Sequence, residues 1–161
     1  MTVRLLAAAD VEAYRALRLA GLRAHPHAFG AAAEDEADWP ISKWETRLQQ
    51  RATFGAFIGG DLFGIAALAL DDGRKVRHRG YLVGVYVAPP ARGAGAGRSL
   101  VAAVLAAARG QVEELVLSVA IGNASAIALY LACGFRAYAV DTDAIRVDGV
   151  PVDDVLMRLR L

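Results

Sequence analysis

The chain has very little cysteine. Cys133 stands alone among 161 residues, so no internal disulfide can form and the pattern fits a reducing compartment. Excess charge is missing too: 18 Lys and Arg against 17 Asp and Glu leave a net charge of +1, too weak a field to gather nucleic acid or a membrane surface by bulk electrostatics. No apolar stretch approaches the roughly 20 residues of a membrane span. The first residues lack the basic start and long apolar core of a secretory signal. His25 and His27 lie two apart with no third ligand near them in sequence, which does not make a metal site. Repeats, linkers and low-complexity tracts are absent apart from an alanine bias. These absences predict one domain over residues 1–161, cytoplasmic, with no metal, no nucleic-acid partner and no membrane.

What is present is apolar patterning: 56% of residues are hydrophobic, enough for a folded core and against disorder. A chain of this length buries about two-thirds of its unfolded surface. Val3–Leu6 reads as an edge strand. Asp10 opens a helix to about Arg23, with Val11, Tyr14, Leu17 and Leu22 near one face, and His25-Pro26-His27 ends it. Ala28–Pro40 reads as a loop carrying Glu34, Asp35, Glu36 and Asp38, either a solvated connection or a wall facing a cationic ligand. Ser42 with Glu45 three residues on matches a capping box before a helix to Arg51, in which Trp44 and Leu48 are core anchors. Thr53–Ile58 and Leu62–Leu70 flank Gly59-Gly60-Asp61 as a hairpin. The basic run Arg74–Arg79 reads as a solvated hairpin loop ahead of a strand, Tyr81–Val87, with contact to a distant phosphate or an acidic acceptor as the alternative.

Residues 87–100, Val-Ala-Pro-Pro-Ala-Arg-Gly-Ala-Gly-Ala-Gly-Arg-Ser-Leu, organise the rest. Proline halts the strand, Gly93, Gly95 and Gly97 let the backbone turn tightly, and Leu100, Val101, Val104, Leu105 and Ala108 follow at helical spacing. No Ser, Thr, Asp, Asn or Glu stands between Arg92 and Gly97 to cap the helix start. A bare helix N-terminus flanked by Arg92 and Arg98, with Ser99 just inside, suits an anion, above all phosphate. Several charge-assisted bonds at roughly 1.5–3 kcal/mol each suffice for micromolar binding, about −8 kcal/mol. An ordinary glycine-rich turn with two solvated arginines is the alternative. A P-loop would need Gly-Lys-Ser/Thr, and no lysine is present. The dinucleotide fingerprint Gly-x-Gly-x-x-Gly meets Arg98 or Leu100 where its last glycine belongs. Downstream come a buried strand Leu115–Val119, Asn123 at a helix N-cap position, a helix Ala124–Cys133, strands Phe135–Val140 and Ala144–Val147, the turn Asp148-Gly149, and a last strand Val152–Leu159.

Arg92-x-x-Gly95-x-Gly97 after Val-Tyr-Val-Ala-Pro resembles the pyrophosphate loop of the GNAT acetyltransferase superfamily. The series Leu115–Val119, Asn123, Leu129-Tyr130 and Gly134-Phe135, and the closing hairpin from Arg146 to Met157, are similar to that family in order and spacing, over roughly residues 53–161. The resemblance implies an α/β fold with a mixed, mainly antiparallel sheet, helices on both faces and one splayed parallel strand pair. It implies acetyl-CoA as cosubstrate, held by the backbone of Val85, Tyr86 and Val87, by the loop Arg92, Gly93, Ala94, Gly95, Ala96, Gly97, Arg98 and Ser99, and by Asn123 and Tyr130.

The implied reaction is acetyl transfer to a primary amine by direct attack, with Tyr130 as general acid. A phenol of pKa about 10 is protonated at neutral pH and can donate to the leaving thiolate. The acceptor is a small-molecule amine or a protein amine. Many relatives carry a glutamate on the strand before the loop, but Tyr81–Val87 holds no carboxylate. Glu34, Glu36, water or an acceptor of low pKa remain open as the answer to deprotonation, and no residue is assigned. Cys133 reads as a small buried hydrophobe. A non-catalytic acyl-CoA sensor on the same fold is the competing reading, and pairing of edge strands leaves a homodimer open.

Overall fold

The computed structural model describes residues 1–161. Its strands are β1 (Thr2–Leu5), β2 (Ala52–Ile58), β3 (Asp61–Leu70), β4 (Arg79–Val87), β5 (Glu114–Ala120), β6 (Arg136–Val147) and β7 (Val150–Arg160). Its helices are α1 (Val11–Ala24), α2 (Ala33–Ala37), α3 (Ile41–Gln50), α4 (Ala96–Ala108) and α5 (Ala124–Ala132). The strands form one seven-stranded sheet in the order β1-β2-β3-β4-β5-β7-β6. Every neighbouring pair is antiparallel except β4–β5. The predicted mixed sheet, its hairpins and its edge strand are all present.

Helices cover both faces, each over its own core. On one face Leu100, Val101 and Val104 of α4 meet Leu82, Leu115, Leu117, Phe135 and Met157. On the other, Val11, Tyr14 and Leu22 of α1 and Trp44 of α3 meet Ile65 and Tyr86. Trp44 is fully buried and Leu48 packs against the same cluster. Burying side chains of this size stabilises by roughly 1.5–3 kcal/mol each. Gly21 brings α1 down onto β4: a Cβ there would stand 2.9 Å from the Tyr86 ring.

Two features of the sheet make the site. The β4–β5 pairing covers only Arg79↔Glu114, Gly80↔Leu115 and Tyr81↔Val116. Beyond Tyr81 and Val116 the strands part, as expected for a splayed pair. Gly84 of β4 sits at φ +64, where the register against β3 slips between Ile65 and Ala67. Such a bulge reverses the alternation of faces. Leu82 therefore points into the α4 core while Tyr86, an even number of residues on, points into the α1 core.

Local expectations are corrected at several points. The segment 28–40 is not all loop. It holds α2, and Glu36 within it is 2% exposed, which excludes a solvated acidic connection at that residue. Pro40, not Ser42, occupies the N-cap of α3, and no side chain caps it, so Ser42 and Glu45 form no capping box. Asp10 stands at the N-cap of α1 as expected, but its side chain does not cap that helix: it accepts from the Ala7 N–H at 2.8 Å and pairs with Arg4. Arg79 of the basic run is part of β4 and donates to Glu114 at 2.6 Å. The two strands expected at 135–147 are one strand, β6, broken by a register shift between Asp141 and Ile145 with Asp143 at φ +55.

Candidate active site

A cleft of about 1310 Å³ runs through the parting of β4 and β5. It is lined from the α4 face by Gly93, Gly95, Arg98 and Tyr130, and from the α1 face by Arg18, Phe29, Ser118 and Asp154. Along the open stretch, one edge of Leu82–Val87 pairs with β3 and the edge toward β5 has no strand partner. A ligand with an amide backbone could pair there as an added strand.

At one end of the cleft lies the start of α4. Pro89-Pro90 turn the chain out of β4. Gly93 at φ +77 and Gly95 at φ +81 take the left-handed conformation that L side chains rarely adopt, and a Cβ on either would meet open space. Gly95 is the N-cap of α4 and no side chain caps the helix. The first hydrogen bond of the helix is Ser99 N–H to the Gly95 carbonyl at 3.0 Å, and the N–H groups from Gly93 to Arg98 meet no acceptor within the chain. Those donors and the positive end of the helix macrodipole form an anion cradle.

The predicted residues divide according to what the fold asks of them. Val85, Tyr86, Val87, Arg92, Gly93, Gly95, Ala96, Gly97, Arg98, Asn123 and Tyr130 line the cleft, and Ala94 and Ser99 do not. Gly97 is not part of the turn: it lies inside α4, where a Cβ would come 3.1 Å from Leu129 Cδ2. Its smallness lets α4 approach α5. Arg92 does not reach toward the cradle. Its Nε donates to the Val87 carbonyl at 2.9 Å and its Nη2 lies 2.9 Å from His25 Nε2, tying the end of β4 to the end of α1. Arg98 is the free cation of the pair. Absence of a side-chain cap proves a weaker signal than the sequence suggested, because α1, α2 and α3 also lack one. Only Asn123 caps its helix, accepting from Ala126 N–H at 3.2 Å.

Tyr130 is buried on α5, with its ring edge-on to Phe135 at 6.0 Å. Its hydroxyl has no protein partner and is not sealed from the cleft. Burial, helped by neighbouring Cys133, pushes the phenol up to about 12, so it holds its proton well beyond neutral pH. Burial also raises the Cys133 thiol despite the opposing charge of Arg98, which keeps it from being a ready thiolate nucleophile.

Glu36 sits under the α1 face of the cleft. Arg18 Nε and Nη2 donate to it at 3.1 and 3.2 Å, and Arg47 Nη1 and Nη2 at 3.0 and 3.1 Å. Burial alone would raise its pKa, but the two guanidiniums hold it below the usual carboxylate range. A carboxylate so engaged is a poor proton acceptor, which removes Glu36 from the candidates for a base. Glu34 does not line the cleft. The residues that sequence reasoning missed are Ser118 and Asp154, on facing strands β5 and β7, joined by a hydrogen bond from Ser118 Oγ to Asp154 Oδ2.

The family model of the acetyltransferase (GNAT) family matches residues 16–135. No curated protein matches the sequence. Among solved structures, a ribosomal-protein-alanine N-acetyltransferase from Brucella melitensis is 26% identical with all of both chains covered and a TM-score of 0.83. An acetyltransferase of the GNAT family from Streptococcus pneumoniae is 23% identical over 99% of each chain, TM-score 0.88. A putative acetyltransferase, yncA, from Salmonella typhimurium, solved with its cofactor acetyl-CoA, is 24% identical over 100% of this chain and 94% of that one, TM-score 0.82.

Proposed function

This chain belongs to the GNAT acetyltransferase family, and from that premise we propose that it transfers an acetyl group from acetyl-CoA to a primary amine, with Tyr130 as general acid. The single observation that carries the reading is the junction of an uncapped α4 start with the gap between β4 and β5 in one cleft. The residues fit the cosubstrate. The N–H groups from Gly93 to Arg98, with Arg98 beside them, match a diphosphate, and the open edge of β4 at Val85, Tyr86 and Val87 matches the amides of a pantetheine arm. Asn123, whose Oδ1 serves as the cap, keeps its Nδ2 for the same arm. Acetyl-CoA supplies the thioester to be attacked.

A backbone N–H near Val87 polarises the thioester carbonyl. Tyr130, protonated at all working pH values by its raised pKa of about 12, delivers its proton to the departing sulfur. That sulfur needs only a weak donor, so a reluctant phenol is adequate. The single-domain reading of residues 1–161 is part of the same proposal, supported by one sheet that engages both ends of the chain. So is a cytoplasmic site of action, supported by the lone cysteine; no helix is long and apolar enough to cross a membrane. A homodimer would use the β6 edge, where Tyr138 and Val140 are exposed.

The test is release of free thiol from acetyl-CoA across a panel of primary amines, small molecules and peptide N-termini alike. Amine-dependent release is expected. Binding of acetyl-CoA with no release for any amine would favour the acyl-CoA sensor, a reading kept in view because β4 carries no carboxylate and Glu36 is locked. Absence of binding would end both.

A further inference from the structure

We propose that Asp154, steadied by Ser118, is the group that receives the acceptor's ammonium and takes its proton. The inference rests on the amine acetyltransfer reading above and supplies the base that reading lacks. Asp154 is the only carboxylate lining the cleft. The other well-held carboxylates have arginines: Asp10 with Arg4, Glu36 with Arg18 and Arg47, Glu114 with Arg79, Asp143 with Arg146. Asp154 has no cationic partner, and its one side-chain contact is the Ser118 hydroxyl on Oδ2, so Oδ1 is left for a ligand.

Its position suits the role. Leu115, Leu117 and Val119 of β5, like Met157 of β7, face the α4 core, so by strand alternation Ser118 and Asp154 face the other side. The diphosphate cradle and Tyr130 lie on the α4 side. A thioester carried from the cradle into the gap therefore meets Tyr130 on one side and Asp154 on the other. Attack and departure come from opposite sides of the carbonyl, each with its own proton-handling group. The wall on the Asp154 side holds Phe29, Ile145 and Val152 beside Arg18, whose charge is taken up by Glu36, and it opens to solvent at Ser118.

The protons balance. The ammonium gives one proton to Asp154 Oδ1, and its freed lone pair forms the N–C bond. The C–S bond breaks with its electrons on sulfur, which takes the Tyr130 proton. The second amine proton leaves to water, as does the one on Asp154, and Tyr130 recovers its proton from water on its own side of the gap. An alkyl ammonium near 10.4 gives up its proton reluctantly, whereas an α-amine near 8 does so more readily. Pairing with the cation is thus the larger part of the role.

The experiment compares Asp154→Asn with the parent on two probes: an alkyl primary amine, charged at the assay pH, and a weakly basic amine such as hydroxylamine, which is neutral there. We expect kcat/KM for the alkyl amine to fall about 100-fold, that for the neutral amine to change less than about 3-fold, and the KM for acetyl-CoA to hold. Ser118→Ala, which releases Asp154 without removing it, should fall about 3- to 10-fold on the alkyl amine alone, and it serves if Asp154→Asn fails to fold. Equal losses on both probes, or none on either, overturn the assignment. Absence of transfer by the parent protein to either probe or to any other amine removes the acetyltransferase reading itself, and this proposal with it.

Discussion

The two faces of the sheet treat their polar groups in opposite ways. On the α1 face a carboxylate is buried to 2% exposure and receives four hydrogen bonds from two arginines. On the α4 face a helix begins with its donors unmet, two glycines in left-handed conformation and no acidic side chain near. Both helices pack over good apolar cores, so the difference is not one of burial. A buried charge whose partners are supplied internally is architecture: it fixes α1, α2 and α3 against one another. A set of donors left without partners at the mouth of a cleft is a demand for something from outside. Asp154 belongs with the second kind although it lies on the first face.

The largest effect should come from breaking the satisfied side. Glu36→Gln leaves two guanidiniums buried beside a neutral group and should cost about 3–5 kcal/mol of stability, read from denaturant unfolding. The pH dependence has a definite sign. The folded-state pKa of Glu36 is lowered, so its stabilisation is complete above the ordinary carboxylate value and drains away as pH falls toward the lowered one. The parent should lose stability through that acidic window more steeply than the Gln variant.

Next in size is Tyr130→Phe. It removes a proton donor without removing the ring that packs on Phe135, so kcat should drop about 100-fold, the low end for general acid catalysis, while coenzyme affinity holds. Unchanged turnover would take Tyr130 out of the mechanism. Gly95→Val strikes the unsatisfied side directly. It forces a β-branched residue into φ +81 at about 1–2 kcal/mol and disturbs the cradle, with coenzyme affinity expected to fall roughly 10-fold, the worth of one charge-assisted bond. Calorimetric titration of the variant checks it. Smallest is Asn123→Ala, where the lost cap should lower stability by about 1 kcal/mol and coenzyme affinity should weaken only a few-fold; a large affinity loss with unchanged melting would make Asn123 a ligand first and a cap second.

Sequence patterning carried the architecture a long way, for a physical reason. Hairpins such as 52–70, and the strand-loop-helix at 81–108, announce themselves through local turn chemistry and apolar period. What escaped was set by partners far off in the chain. Glu36 reads as one of a run of surface acids, and only the arrival of Arg18 and Arg47 makes it a core residue. The α2 helix is five residues long, too short for a period to register. Arg92 sits where the loop motif puts a phosphate guard, but His25 and the Val87 carbonyl claim its side chain. Gly97 shares the loop's spacing with Gly93 and Gly95 yet answers to Leu129. Gly84 gave the one legible hint that went unread, a glycine inside an apolar strand, and it marks the bulge. Asp154, in an Asp-Asp pair within β7, gains its meaning from Ser118, a strand away.

The central claim is that the bare start of α4 grips a diphosphate. The most direct measurement is calorimetric titration of the protein with coenzyme A and, separately, with pantetheine, which carries the same arm without the diphosphate. Micromolar binding of coenzyme A is expected, with pantetheine weaker by at least about 100-fold, the worth of one to two charge-assisted bonds. Equal affinity for the two, or no affinity for coenzyme A, would contradict it.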